Sequence, residues 1–151
     1  MSRAKRLGIV LDLAQRTEQK AAEASELARR LWQEDQNKFD ELCQYYDDYE
    51  ASFTHPSAFM RAQDIAQQRG FLSQLADAKK QQSLVVEKRF SIRQDKLQAW
   101  QKTRLKRKAL QELIARLQAD EAKVLSRQEA KMLDEWFNQT SLRRQEHQRD
   151  C

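Results

Sequence analysis

The stretch EASFTHPSAF, Glu50–Phe59, holds the only proline of a 151-residue chain. Pro56 fixes its own φ and pushes His55, the residue before it, out of the helical region. Almost nothing else in the chain stops a helix. There are 2 Gly and 1 Pro, where average usage would supply roughly ten and seven, so turns are scarce. Ala, Leu, Gln, Glu, Lys and Arg dominate, and 34% of residues are charged. That mixture suits long helices with solvated faces. A hydrophobic content of 40%, regularly spaced, argues against disorder.

Working outward from the break, heptad spacing runs along the N-terminal side. Leu7, Val10 or Leu11, Ala14, Ala21, Ala24, Ala28 and Leu31 recur at steps of three and four. After Asp35 the stripe resumes at Phe39, Leu42, Tyr46, Tyr49 and Phe53. The passage from Leu31 through Asp35 to Phe39 is two steps of four, a stutter that locally unwinds a coiled coil without ending it. On the other side the stripe includes Ile65, Leu72, Val86, Phe90, Leu97 and Trp100, then Leu110, Ile114, Leu117, Val124, Met132 and Trp136. Gly70 interrupts it at a cost of about 1 kcal/mol, which a long helix absorbs.

The pattern predicts an all-α chain of two long helices forming an antiparallel coiled-coil hairpin, the second helix longer than the first. Residues 1–147 read as one hairpin, with a helix over about 4–53, a turn over about 54–57 and a helix over about 58–140. Residues 141–151 read as a frayed polar tail. Thr54 and Ser57 are candidate caps at the turn. A turn centred on His55–Pro56 predicts that facing residues carry numbers summing to about 111, as an antiparallel pair runs outward equally from its turn. Phe39 then meets Leu72, Tyr46 meets Ile65, Ala21 meets Phe90, and Glu18 falls opposite Arg93.

Two features follow from that register. Tyr45, Phe71, Leu75 and Ala78 fall beside the seam, and the flanking Leu42 and Tyr49 are poorly covered. Together they form a second stripe near the turn, either widening the core or offering a patch to a partner. Beyond about Arg104 the second helix has no intramolecular partner, although its apolar stripe continues, so it must pair with another protein, self-associate or fold back.

Net charge is +5. The signs are interspersed over most of the chain, as on a solvated helix surface. The exception is KTRLKRK, where Lys102, Arg104, Lys106, Arg107 and Lys108 create a local positive field suited to an acidic surface. Aromatics that stack on single-stranded nucleic acid are absent there apart from Trp100, so no nucleic-acid partner is expected. Cys43 and Cys151 lack metal or disulfide-framework spacing, which fits a reducing compartment. The basic start MSRAKRLGIVLDLA is interrupted by Asp12 and reads as opening helical turns. No stretch approaches the roughly 20 apolar residues of a membrane span. No catalytic, phosphate-binding or dinucleotide-binding motif is present, and a two-helix rod offers no deep pocket. No enzyme activity and no cofactor are expected.

The blocks LCQYYDDY (Leu42–Tyr49), FLSQLADAKKQQ (Phe71–Gln82), AWQ (Ala99–Gln101) with its basic run, and EAKMLDEW (Glu129–Trp136) resemble the FliJ family. FliJ proteins are small soluble components of the bacterial flagellar type III export apparatus. The resemblance covers roughly Leu7 to Phe137. It implies a fold like the antiparallel coiled coil of the rotary-ATPase central stalk. It also implies a non-catalytic stalk and adaptor that inserts into the ring of the export ATPase FliI and promotes its assembly. Coupling of that ring to the export gate FlhA and handling of export chaperones are implied as well.

Carried onto this sequence, the gate-binding positions are Leu42, Tyr45, Tyr49, Phe71, Leu75 and Ala78. Lys38 and Gln82, at the edges of that stripe, stand where some members carry Gln and His. The overhang is the coarser candidate for the ATPase ring: Lys102, Arg104, Lys106, Arg107, Lys108, Leu110, Ile114 and Leu117. The implied location is cytoplasmic, at the inner face of the cell membrane through partners only. The alternatives are the equivalent YscO-type stalk of a virulence type III secretion system, a nucleic-acid-associated helical protein and a structural coiled coil. The aromatic blocks favour the flagellar branch.

Overall fold

A computed structural model describes residues 2–53 and 61–149. It contains two helices, α1 (Arg3–Phe53) and α2 (Ala62–Arg149). The expected turn over 54–57 and the first residues of the expected second helix, 58–60, lie outside the described residues. Arg61 is not helical, and its carbonyl accepts from the backbone N–H groups of Asp64 and Ile65 at 3.0 and 3.2 Å. This sets the start of α2 at Ala62. At the far end α2 stays helical through Arg149, past the expected stop near 140. His147 and Arg149 in its last turn face the negative end of the helix dipole.

Local chemistry supports each helix. Ser2 caps α1: its Oγ accepts from the Lys5 N–H at 3.2 Å, and its carbonyl accepts from the Arg6 N–H at 3.1 Å. Side chains one turn apart then pair along α1, as Gln33 with Asn37 at 2.9 Å, Gln36 with Asp40 at 3.0 Å and Gln44 with Asp48 at 2.9 Å. Arg29 Nη2 donates to Glu26 Oε1 at 2.7 Å. This hydrogen bond holds the Glu26 carboxyl below its usual range. Gly70 has an ordinary helical φ and nothing within 4 Å of where a Cβ would stand, so no backbone requirement selects glycine there.

The chain divides into two compact units. The hairpin unit is Arg16–Arg104, and the terminal unit is Met1–Gln15 with Leu105–Cys151. In the hairpin unit α1 and α2 are antiparallel: the Tyr45 and Tyr49 rings meet Phe71, Asp35 meets Arg89, and Trp32 meets Phe90. The expected α1 stripe faces inward, from Ala21, Ala24, Ala28 and Leu31 through Asp35 and Phe39 to Leu42, Tyr46, Tyr49 and Phe53, all buried or half-buried.

The expected register is not the one observed. Phe90 packs on Trp32 rather than Ala21, with ring centroids 6.2 Å apart. Arg93 lies over the Trp32 ring at 4.6 Å rather than opposite Glu18, and Lys79 lies over Tyr46 at 4.4 Å where Ile65 was expected. Each α1 residue meets a partner roughly two to three turns further along α2. The physical reason lies in the seam itself. Periodicity fixes which face of each helix is apolar but not its axial alignment. The observed alignment pairs Asp35 with Arg89 and Gln82 and sets Trp32 against Phe90 and Arg93.

The shifted register makes the α2 side of the seam partly polar. Lys79, Gln82 and Arg93 are half-buried there, while Phe90 and Ile65 stay 44% and 38% exposed. The cations keep their charged ends over aromatic faces, which compensates for their loss of water. Leu75 and Ala28 are the buried apolar residues of this unit among those described. Two helices shield only one stripe of each other, so most seam residues remain half-exposed.

Candidate partner-docking site

Around the seam of the hairpin unit, α1 places Tyr45, Tyr49 and Phe53 at steps of four, on one face. α2 brings Phe71 against them. The Tyr49 and Phe71 rings are 4.8 Å apart and inclined at 69°; Tyr45 and Phe71 are 6.3 Å apart and nearly perpendicular. Phe53 extends the cluster edge-on to Tyr49 at 5.0 Å. Edge-to-face geometry places ring hydrogens against the negative ring face, adding attraction beyond area burial.

The six expected gate positions do not form one uniform exposed stripe. Tyr45 and Phe71 are 52% and 36% exposed. Leu42, Tyr49 and Ala78 are half-buried. Leu75 is only 8% exposed, a core residue and not an outlying one. It lies one turn from Leu72 and Ala78, which are half-buried, on the covered face of α2. The cluster is therefore an aromatic group formed by both helices, with Tyr45 and Phe71 exposed and Leu75 buried one turn from Phe71 on α2.

A shallow groove beside this group is lined by Lys38, Glu41, Leu42, Tyr45 and Gln82. The two edge positions singled out in the sequence, Lys38 and Gln82, thus come together from different helices. Gln82 Nε2 donates to the Asp35 carbonyl at 2.9 Å, and Lys38 Nζ lies 3.9 Å from Asp35 Oδ1. Sequence reading placed Asp35 at the stutter but missed that it organises this edge. The signal for it was a carboxylate at a seam position.

The basic run is divided between the units. Lys102 and Arg104 are exposed in the hairpin unit, with the Arg104 guanidinium 5.5 Å from the Trp100 ring centroid. In the terminal unit Lys106 and Lys108 are exposed, whereas Arg107 is half-buried and donates to Gln111 at 2.8 Å. Leu110, Ile114 and Leu117 are half-buried in the same unit as residues 1–15, where Ala4 is 5% exposed and Leu7, Leu11 and Ala14 are half-buried. The overhang therefore does not begin at Arg104. From 118 to 149 every described residue except Thr140 is exposed. Sequence reading placed Trp136 in the stripe of α2 but did not pair it with Phe137, whose ring stands 5.3 Å away.

Among the described residues no group of three or more His, Cys, Asp or Glu is placed to hold a metal ion. No helix there is long and apolar enough to cross a membrane. The model of one protein family, described as flagellar FliJ protein, matches residues 3–146. No curated protein and no solved structure matches the chain.

Proposed function

The chain belongs to the FliJ family, a non-catalytic component of the flagellar export apparatus, and from that premise we propose that it serves as a stalk and adaptor joining the export ATPase to the export gate. The observation that carries this reading is the Tyr45–Phe71 pair, an exposed aromatic contact made across two helices. Rigid aromatic groups are what a specific protein interface uses as anchors.

In this reading Tyr45 and Phe71 enter a hydrophobic cleft of the cytoplasmic region of FlhA. Leu42, Tyr49 and Ala78 flank them, and the buried Leu75 stays in the hairpin core. The ring of FliI contacts the basic run Lys102–Lys108 and the part of α2 that follows, through Leu110, Ile114 and Leu117 and the exposed residues beyond. Export chaperones are handled by the same adaptor. Attachment to the inner face of the membrane comes through these partners.

Pull-down with the FlhA cytoplasmic region tests the gate assignment. Tyr45→Ala with Phe71→Ala is expected to weaken binding while circular dichroism stays unchanged. Full gate binding by this variant removes the assignment. Pull-down with FliI tests the ring contact separately, through Lys106→Glu with Lys108→Glu. Undiminished capture by that variant removes the basic run from it.

A further inference from the structure

Within the terminal unit, α1 carries two apolar stripes. Ala4, Leu7, Leu11 and Ala14 are buried or half-buried and form the inward one. Ile9 and Leu13, four residues apart, lie on the other side of the helix, 56% and 58% exposed, with Val10 beside them at 42%. The inward stripe does not account for this outer one. It begins at Lys5 and Arg6, both exposed. The region is strongly cationic: residues 1–15 carry Arg3, Lys5 and Arg6 against Asp12, and residues 105–117 add Lys106, Arg107, Lys108 and Arg116 against Glu112. α1 has no acidic residue in its first turn, so its positive dipole end adds to the field.

We propose that this outer face of α1 binds directly to an anionic lipid surface, beyond the partner-borne attachment described above. Ile9, Val10 and Leu13 enter the boundary between headgroups and acyl chains, and Lys5 and Arg6 reach lipid phosphates. Exposed aliphatic residues beside long cationic side chains are the pattern of an interfacial helix. The exposed apolar residues on this face are aliphatic, so stacking on single-stranded nucleic acid does not explain them. Phosphate contacts to a duplex need no apolar stripe. A second copy would bring like charges together across a symmetric contact.

The test is co-sedimentation of the full chain with phosphatidylcholine vesicles, with and without phosphatidylglycerol. The expected result is binding to anionic vesicles at least tenfold tighter than to neutral ones. Lys5→Gln with Arg6→Gln lowers the partition coefficient roughly thirtyfold. Ile9→Ser with Leu13→Ser lowers it roughly tenfold or more. Leu125→Ser with Leu133→Ser, which removes exposed apolar groups elsewhere on α2, leaves it unchanged.

A fluorophore on Ile9→Cys, with both natural cysteines replaced by serine, gives a readout independent of these variants. Its emission shifts to the blue on anionic vesicles. Equal binding to both vesicle types, or none to either, overturns the proposal, as does an unshifted fluorophore. Loss of binding on removing the charges but not the apolar pair also overturns it. So does capture by polyglutamate or a DNA duplex as tight as by vesicles.

Discussion

Arg89 Nε on α2 donates to Asp35 Oδ2 on α1 at 2.9 Å, and Gln82 of α2 donates to the carbonyl of the same aspartate. Asp35 stands where the apolar stripe of α1 stutters, with its side chain 13% exposed, while that of Arg89 is 39% exposed. A seam aspartate whose carboxylate and main-chain carbonyl each accept from a donor on the facing helix has both bonds in one register and loses them in others. It specifies alignment more than it adds stability.

Asp35→Ala is therefore expected to destabilise the hairpin by about 1–2 kcal/mol, a value discounted for the partial exposure of Arg89. Asp35→Leu should be nearly neutral or stabilising, because an apolar residue there extends the stripe. Chemical denaturation checks both. A loss for Asp35→Leu as large as for Asp35→Ala would show that the ion pair contributes stability and not only alignment.

The alignment itself is open to cross-linking in a chain with Cys43 and Cys151 replaced by serine. Ala28 and Ile92 line one groove, so Ala28→Cys with Ile92→Cys should link readily through a short bifunctional reagent in a dilute monomer. Phe39→Cys with Leu72→Cys, facing in the tight-turn register, should link poorly. The reverse ranking would restore the register expected from the sequence.

Gly70→Ala should stabilise the protein by about 1 kcal/mol, since helix formation favours alanine and the site is open. Thermal unfolding measures this. A destabilised variant would point to a close approach at Gly70 not visible in the structure.

The Glu26–Arg29 pair carries a pH signature. The Glu26 carboxyl titrates lower in the folded chain because Arg29 hydrogen-bonds its charged form. Its contribution is therefore present above the unfolded carboxylate value and lost as pH falls through the lowered folded value. Both groups are solvent-exposed, so the effect is small and salt weakens it. The midpoint difference between wild type and Glu26→Gln should be greatest near neutrality and vanish in acid. A difference independent of pH would assign it to helix propensity instead.

The helices and their inward faces were legible in the sequence. Scarcity of Gly and Pro, a single proline and the steps from Ala14 to Phe53 are local properties, and an amphipathic helix must bury its stripe whatever covers it. That Tyr45 and Tyr49 share one face was legible too, because they sit one turn apart. What only the tertiary structure decided was which residues face each other. Register depends on where the connection ends and on how side chains on separate helices interlock, and neither is encoded in periodicity. That is why Phe90 meets Trp32 and not Ala21, and why Leu110, Ile114 and Leu117 are half-buried where an uncovered stripe was expected. It is also why Asp35, legible only as a break in a pattern, became the point that holds two helices in one alignment.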